Sequence, residues 1–208
     1  YKKDKDIATY TMGVWEKMGD LLVKYNFATG YKQPSIFQML NQSGSQELEA
    51  ESSKGSDFSI TYSGINELLV RASIFNAVID NRIEYVYTGP WSGYYDNVGS
   101  ETNIDGYSLG VDLLKVPFTK KIAAEFSYTN SRDDSGQTLR VPKKKATLDA
   151  IFDVFGVDLS LFYTKVSSRK DSGNIILPSY QTVDLALTKK FGETSLFLKG
   201  ENIFGEDY

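Results

Sequence analysis

One feature limits the fold of this chain more than any other: apolar and polar residues alternate at every second position, in run after run. Phe58, Ile60 and Tyr62 alternate with Asp57, Ser59 and Thr61. Near the end, Val183, Leu185 and Leu187 alternate with Asp184, Ala186 and Thr188. A turn follows at Gly192-Glu193-Thr194, and Leu196 and Leu198 resume the pattern. Side chains two apart share one face of a strand, so each run is a strand with one apolar and one polar face.

The same unit, strand, short turn, strand, long polar loop, fills the sequence. The first hairpin is expected over Ile7–Val14 and Asp20–Ala28, turned near Glu16-Lys17-Met18-Gly19. The loop Thr29–Glu51 follows. Ser53–Tyr62 and Glu67–Ala77 form the next pair around a turn at Ser63-Gly64-Ile65-Asn66. A long aromatic connection, Asp80–Asn103, leads to Gly106–Leu114, a turn at Lys115-Val116-Pro117, and Lys121–Tyr128. After the polar loop Thr129–Lys144, strands around Leu148–Val154 and Val157–Thr164 meet at Phe155-Gly156, and Ser167–Pro178 is the last long loop. The total is about ten antiparallel strands whose short turns and long loops alternate consistently.

The polar faces carry Lys24, Asp57, Arg71, Asp112, Glu125, Asp149, Asp158 and Asp184, among others. Charges at this density lose several kcal/mol of hydration each if buried unpaired, so that face must meet water. The apolar face is then the covered one, by a second sheet in a soluble sandwich or by lipid in a barrel. The sorting of connections by length favours an outer-membrane barrel, which has short turns at one end and long loops at the other. No run of eighteen apolar residues exists, which excludes a transmembrane helix but not strands that cross lipid in about 9–11 residues. The 14 Tyr, 12 Phe and 2 Trp suit aromatic girdles, and they suit a sandwich core as well.

Neither histidine nor cysteine occurs, so Ser-His and Cys-His nucleophiles, thiolate metal sites and disulfides are excluded; no nucleophile–base pair points to an enzyme, and no cofactor or metal centre is expected. The net charge of −4 argues against a nucleic-acid partner.

Several segments resemble those of TonB-dependent outer-membrane receptors. They are Ala28-Thr29-Gly30-Tyr31-Lys32-Gln33-Pro34-Ser35-Ile36-Phe37-Gln38, Leu48-Glu49-Ala50-Glu51-Ser52-Ser53-Lys54, and Asn97-Val98-Gly99 with Ile104-Asp105-Gly106. Further along are Arg140-Val141-Pro142 before Ala146-Thr147-Leu148, Leu177-Pro178 through Asp184-Leu185-Ala186, and Glu201-Asn202-Ile203-Phe204-Gly205-Glu206-Asp207-Tyr208. Departures include Gln33 for a small residue, Ala50 for proline, Tyr107-Ser108 for Val-Glu, and Gly205 for aspartate.

The resemblance implies an all-β fold: an antiparallel up-and-down transmembrane β-barrel, of which residues 1–208 supply about ten strands. The plug, the early strands and the last strand would lie outside them, and these ten would form an open or incomplete barrel. It further implies an outer-membrane location, a TonB complex as partner acting through that plug, and a ferric siderophore or cobalamin as cargo. By position in the long loops, Tyr31, Gln33, Trp91, Tyr94, Tyr95 and Asp96 are the ligand-binding candidates; packing within the loops or an aromatic girdle is the plainer role for these aromatics. Asp133-Asp134 and Lys143-Lys144-Lys145 read as solvated loop charges, with a cation and acidic lipopolysaccharide as their respective alternatives. A passive porin and a soluble β-rich binding domain remain open.

Overall fold

A computed structural model describes residues 8–42, 47–90, 92–97, 99–114, 116–117 and 119–207. Its strands are β1 (Thr11–Met18), β2 (Leu21–Lys32), β3 (Glu51–Ile65), β4 (Leu68–Asp80), β5 (Ile83–Gly89), β6 (Ser92–Asn97), β7 (Thr102–Leu114) and β8 (Thr119–Asp133). They continue with β9 (Gly136–Gln137), β10 (Lys144–Val154), β11 (Val157–Val166), β12 (Arg169–Lys170), β13 (Ile176–Leu177), β14 (Tyr180–Phe191) and β15 (Thr194–Gly200). A short helix, α1 (Ile36–Leu40), follows β2. One large antiparallel sheet runs β1-β2-β3-β4-β7-β8-β10-β11-β14-β15, with β9 pairing only β8. Its two edges, β1 and β15, are not paired with each other, so the barrel is open.

The expected ten-strand, up-and-down architecture holds, with local differences. The first turn falls at residues 19–20, because Trp15–Met18 continue the strand against Lys24–Leu21 and Gly19 (φ 59°) supplies the left-handed backbone of the reversal. The expected start at Ile7 and the turn residue Lys115 lie outside the described residues. Ser63–Ile65 belong to β3, with a register shift between Tyr62 and Ile65, so the reversal is at Asn66-Glu67. Phe155 and Gly156 reverse β10 into β11 with φ of 52° and 73°, the paired positive values that a primed two-residue hairpin requires. The aromatic connection after β4 folds into its own hairpin, β5–β6, consistent with the strand preference of Tyr85, Val86 and Tyr87.

Opposed residues in the register share a face. The apolar one looks outward: Phe58 is 37% exposed, Ile74 61% and Leu109 53%. The polar face is the more covered, with Asp112 at 7% and Ser131 at 3%. A soluble sandwich would show the reverse, its apolar side chains interlocked and its carboxylates in bulk solvent.

The limit of the outward apolar band slants across the sheet. Followed toward the long-loop end, the first polar outward residue is Thr29 on β2, Ser56 on β3, Asn76 on β4, Asp105 on β7 and Asn130 on β8. It is Lys144 on β10, Lys165 on β11 and, beyond Lys189 at the short-turn end, Gln181 on β14. Gln181 lies in the register row of Val23, six residues below Thr29 on the same strand. Six residues span roughly 20 Å along a strand and the seven intervening pairings roughly 34 Å across the sheet, giving a slant of about 30°. A flat apolar slab cut by strands tilted about 35–45° leaves nearly this trace.

Candidate functional site

The antiparallel order gathers every long connection at one end of the sheet. Residues 33–50 carry α1, residues 81–101 carry β5–β6, residues 134–143 carry β9, and residues 167–179 carry β12 and β13. The short turns occupy the other end. The long-loop end is therefore where the chain has side chains free of sheet duty, as binding surfaces on rigid scaffolds commonly do.

Local chemistry fixes the first two loops. Ser35 caps α1: its hydroxyl accepts from the Gln38 amide at 3.2 Å, and its own amide donates to Gln38 Oε1 at 2.9 Å, a capping box written by Ser-x-x-Gln. The helix C-cap joins the hairpin, where the Tyr95 amide donates to the Asn41 carbonyl at 2.7 Å. Asn97 clasps three segments: its Oδ1 accepts from the Glu49 amide at 2.8 Å, and its Nδ2 donates to the carbonyls of Glu49 at 2.9 Å and Asn81 at 2.7 Å. Glu51 accepts from Lys32 Nζ and from the Ile83 amide, both at 3.0 Å.

The candidates named from sequence are not one surface. Tyr94, Tyr95 and Asp96 share β6, but its alternation splits them. Tyr95 lies in an aromatic cluster, its ring edge-on to Tyr85 at 5.1 Å and to Phe37 of α1 at 6.0 Å. Tyr94 and Asp96 occupy the other face, opposite Val86 and Glu84. Tyr31 points outward on β2, opposite Ser52, with its hydroxyl buried and no hydrogen-bond partner among the described residues. Gln33 is exposed just beyond β2. Trp91 lies outside the described residues.

A second cluster was not legible in the sequence. Arg82 donates to Asp133 Oδ2 at 2.7 Å and pairs with Glu84, while its Nε is buried without a hydrogen-bond partner among the described residues. Asp133 also receives the Ser135 amide at 2.9 Å, so it is a neutralised anchor rather than a cation ligand. Arg140 Nε donates to Asp171 Oδ1 at 2.8 Å. That hydrogen bond, then the Ser172 amide, holds the Asp171 carboxyl below its ordinary value, and Asp171 in turn raises Arg140. Arg82, Asp133, Gln137, Lys170 and Asp171 line a cavity of about 230 Å³ between three loops. The Arg82 and Asp133 partners are 51 residues apart, a separation over which no periodicity or spacing gives a signal.

Below the loops, the inward face is a polar wall. Arg71 pairs with Asp112 across Gly110, where a Cβ would come 3.0 Å from the guanidinium. Lys121 pairs with Asp149 at 3.2 Å, Ser73 and Ser108 share a hydrogen bond at 2.8 Å, and Asn26 donates to Asp57 at 2.9 Å. Such a wall suits an aqueous passage or a polar domain seated inside the barrel.

A sequence profile described as TonB dependent receptor-like, beta-barrel, matches residues 12–203. No curated protein sequence matches the chain. Among solved structures, the chain is similar to the copper transporter OprC, with TM-score 0.77 and 13% identity over 95% of this chain and 34% of that one. It is also similar to the ferric-catecholate import receptor Fiu from E. coli in its closed form, with TM-score 0.68 and 15% identity over 96% and 31%. A variant of the ferric enterobactin receptor PfeA from Pseudomonas aeruginosa gives TM-score 0.72 and 16% identity over 94% and 34%. At such identities the likeness is one of fold, and the chain spans about a third of the length of these structures.

Proposed function

Because the chain belongs to the TonB-dependent receptor-like β-barrel family, we propose that it is the C-terminal part of an outer-membrane receptor importing a ferric siderophore, driven by the TonB complex through a plug domain encoded upstream. The observation that carries this reading is the two-faced sheet, whose apolar band slants as a tilted barrel in lipid requires while its other face stays polar. The ferric chelate receptors among its structural neighbours favour an iron chelate over cobalamin as the cargo. The loop end supplies the exposed Tyr87 ring for a partly aromatic chelate, with Tyr94 and Gln33 as further contacts, while Arg82 and Arg140 are engaged by Glu84, Asp133 and Asp171.

The test uses the complete gene in a strain lacking its own siderophore receptors. Uptake of iron-55 presented as a ferric catecholate should require both this gene and an intact TonB, with labelled cobalamin as the comparison arm. Uptake that persists without TonB would make the protein a passive porin. A protein that leaves the membrane without detergent, with no heat-dependent shift in gel mobility, would make it a soluble binding domain.

A further inference from the structure

The ring of first polar outward residues is not uniform in charge. Thr29, Ser56, Asn76 and Asn130 are neutral, and the Asp105 carboxylate accepts from Asn130 Nδ2 at 3.1 Å with Arg132 at 3.9 Å. Lys144 on β10 and Lys165 on β11 then follow side by side. Lys165 is paired with Ala146, two residues from Lys144 on the same outward face, which makes the two lysines diagonal neighbours. Both are exposed, and neither has a carboxylate partner among the described residues. Leu148 and Tyr163, opposed in the row below, begin the apolar band.

Next to Lys165 the surface is notched. A cavity of about 240 Å³ is lined by Lys165, Ser179, Tyr180, Gln181 and Glu206. Gln181 is held by the Tyr163 hydroxyl, which donates to its Oε1 at 2.9 Å and leaves the Gln181 amide nitrogen as a donor. The segment after β15 closes the far side, where the Asn202 side chain donates to the Glu206 carbonyl at 2.9 Å and accepts from the Glu206 amide at 3.0 Å. Glu206 is the one opposing charge in the notch.

We propose that Lys144, Lys165 and the Ser179–Gln181 notch form a binding site for the phosphate of a membrane lipid headgroup, at the long-loop edge of the apolar band. The proposal rests on the membrane reading of the sheet. At that edge a lipid presents its phosphate at the level of the two ammoniums while its acyl chains run down Tyr163, Leu161 and Leu148. Two unpaired cations there complement an anion whose depth is fixed by its own tails. Lys165, the Ser179 hydroxyl and the Gln181 amide supply donors on one side of the notch, and Glu206 bars a second phosphate on the other.

The receptor, expressed with its native flanking sequence and extracted in detergent, is titrated with diphosphoryl lipid A and followed by native mass spectrometry. The Lys144→Ala/Lys165→Ala variant should bind about 30-fold more weakly, roughly fivefold per lysine, while Lys54→Ala, outward on β3, should bind as the unaltered protein does. Monophosphoryl lipid A, which keeps one phosphate, should lose binding on the double substitution as the diphosphoryl lipid does, whereas an equal loss with a lipid A that carries no phosphate would overturn the site. Equal retention by the double variant, with its heat-dependent gel shift intact, overturns the lipid site and leaves the barrel standing. A protein that shows no such shift and needs no detergent overturns both.

Discussion

The sheet wall and the long-loop end of this molecule are held together by different physics. In the wall, each residue's role follows from its parity: outward side chains are apolar from Leu21 to Phe27 on β2 and from Val183 to Leu187 on β14, inward ones carry the charges, with Leu69, Phe75 and Phe162 among them, and backbone ladders do the joining. At the loop end, parity stops mattering. Asn97, Glu51, Arg82 and Arg140 join segments far apart in sequence through side-chain hydrogen bonds. The wall is a repeated solution to one constraint, a hydrocarbon slab beside water. The loop end has no such repeat.

The contrast breaks most sharply where a charge is placed on each face of the sheet. Leu109→Arg, outward in the middle of β7, should cost roughly 2–4 kcal/mol in a urea titration of the barrel in lipid. Ser59→Arg, on the inward face of β3, should cost well under half of that. Equal costs would mean that the two faces meet the same medium.

A second test stays within the wall. A Cβ at Gly106 would meet the Tyr128 carbonyl oxygen at 2.2 Å and the Phe75 ring at 2.5 Å. Gly106→Ala should therefore destabilise the sheet by roughly 1–3 kcal/mol, the usual range for overpacking. Gly136→Ala, in the loop hairpin with nothing within 4 Å of its Cβ but with φ 115°, should leave the urea midpoint of the barrel unchanged.

The loop end should respond locally. Asn97→Ala removes three hydrogen bonds at about 1 kcal/mol each. Hydrogen exchange should quicken over residues 47–51 and 81–84, while β7 and β8 keep their protection. Slower exchange, or a spread into the wall, would contradict the division between wall and loops.

The smallest effect is the pH response of the Arg140–Asp171 pair. Asp171 is held below its ordinary 3.8 in the folded protein, so the pair contributes above that value and is lost as pH falls through the lowered one. Exchange in the loop around residues 169–176 should quicken only below about pH 4. Asp171→Asn should show faster exchange already at neutral pH and no further change on acidification.

How much of this was legible follows the same division. The runs Phe58-Ser59-Ile60 and Leu159-Ser160-Leu161 declared their faces because one side of the wall meets lipid. The alternation stops short of the strand ends: β8 runs to Asp133 rather than Tyr128, and β4 to Asp80 rather than Ala77. Beyond Tyr128 both faces are wet, so alternation vanishes while the ladder continues. The β5–β6 hairpin hid for the same reason. Among the candidate ligand residues, Tyr95 was found by its aromatic loop setting, yet its ring packs α1 to the hairpin. Arg82, Asp133 and Asp171 were missed as a site because their partnership exists only after three loops meet.

These 208 residues hold no cysteine, so with any cysteine elsewhere in the protein changed to serine, single labels give the most direct test. Spin labels are placed singly through Phe58→Cys, Ser59→Cys, Ile60→Cys and Thr61→Cys on β3, and through Ser108→Cys, Leu109→Cys, Gly110→Cys and Val111→Cys on β7, in the complete protein reconstituted into bilayers. Accessibility to oxygen should then rise and fall with period two, high at 58, 60, 109 and 111, with a polar nickel chelate following the opposite phase. A uniform profile, or one with the polar chelate favoured at 58, 60, 109 and 111, would contradict the account.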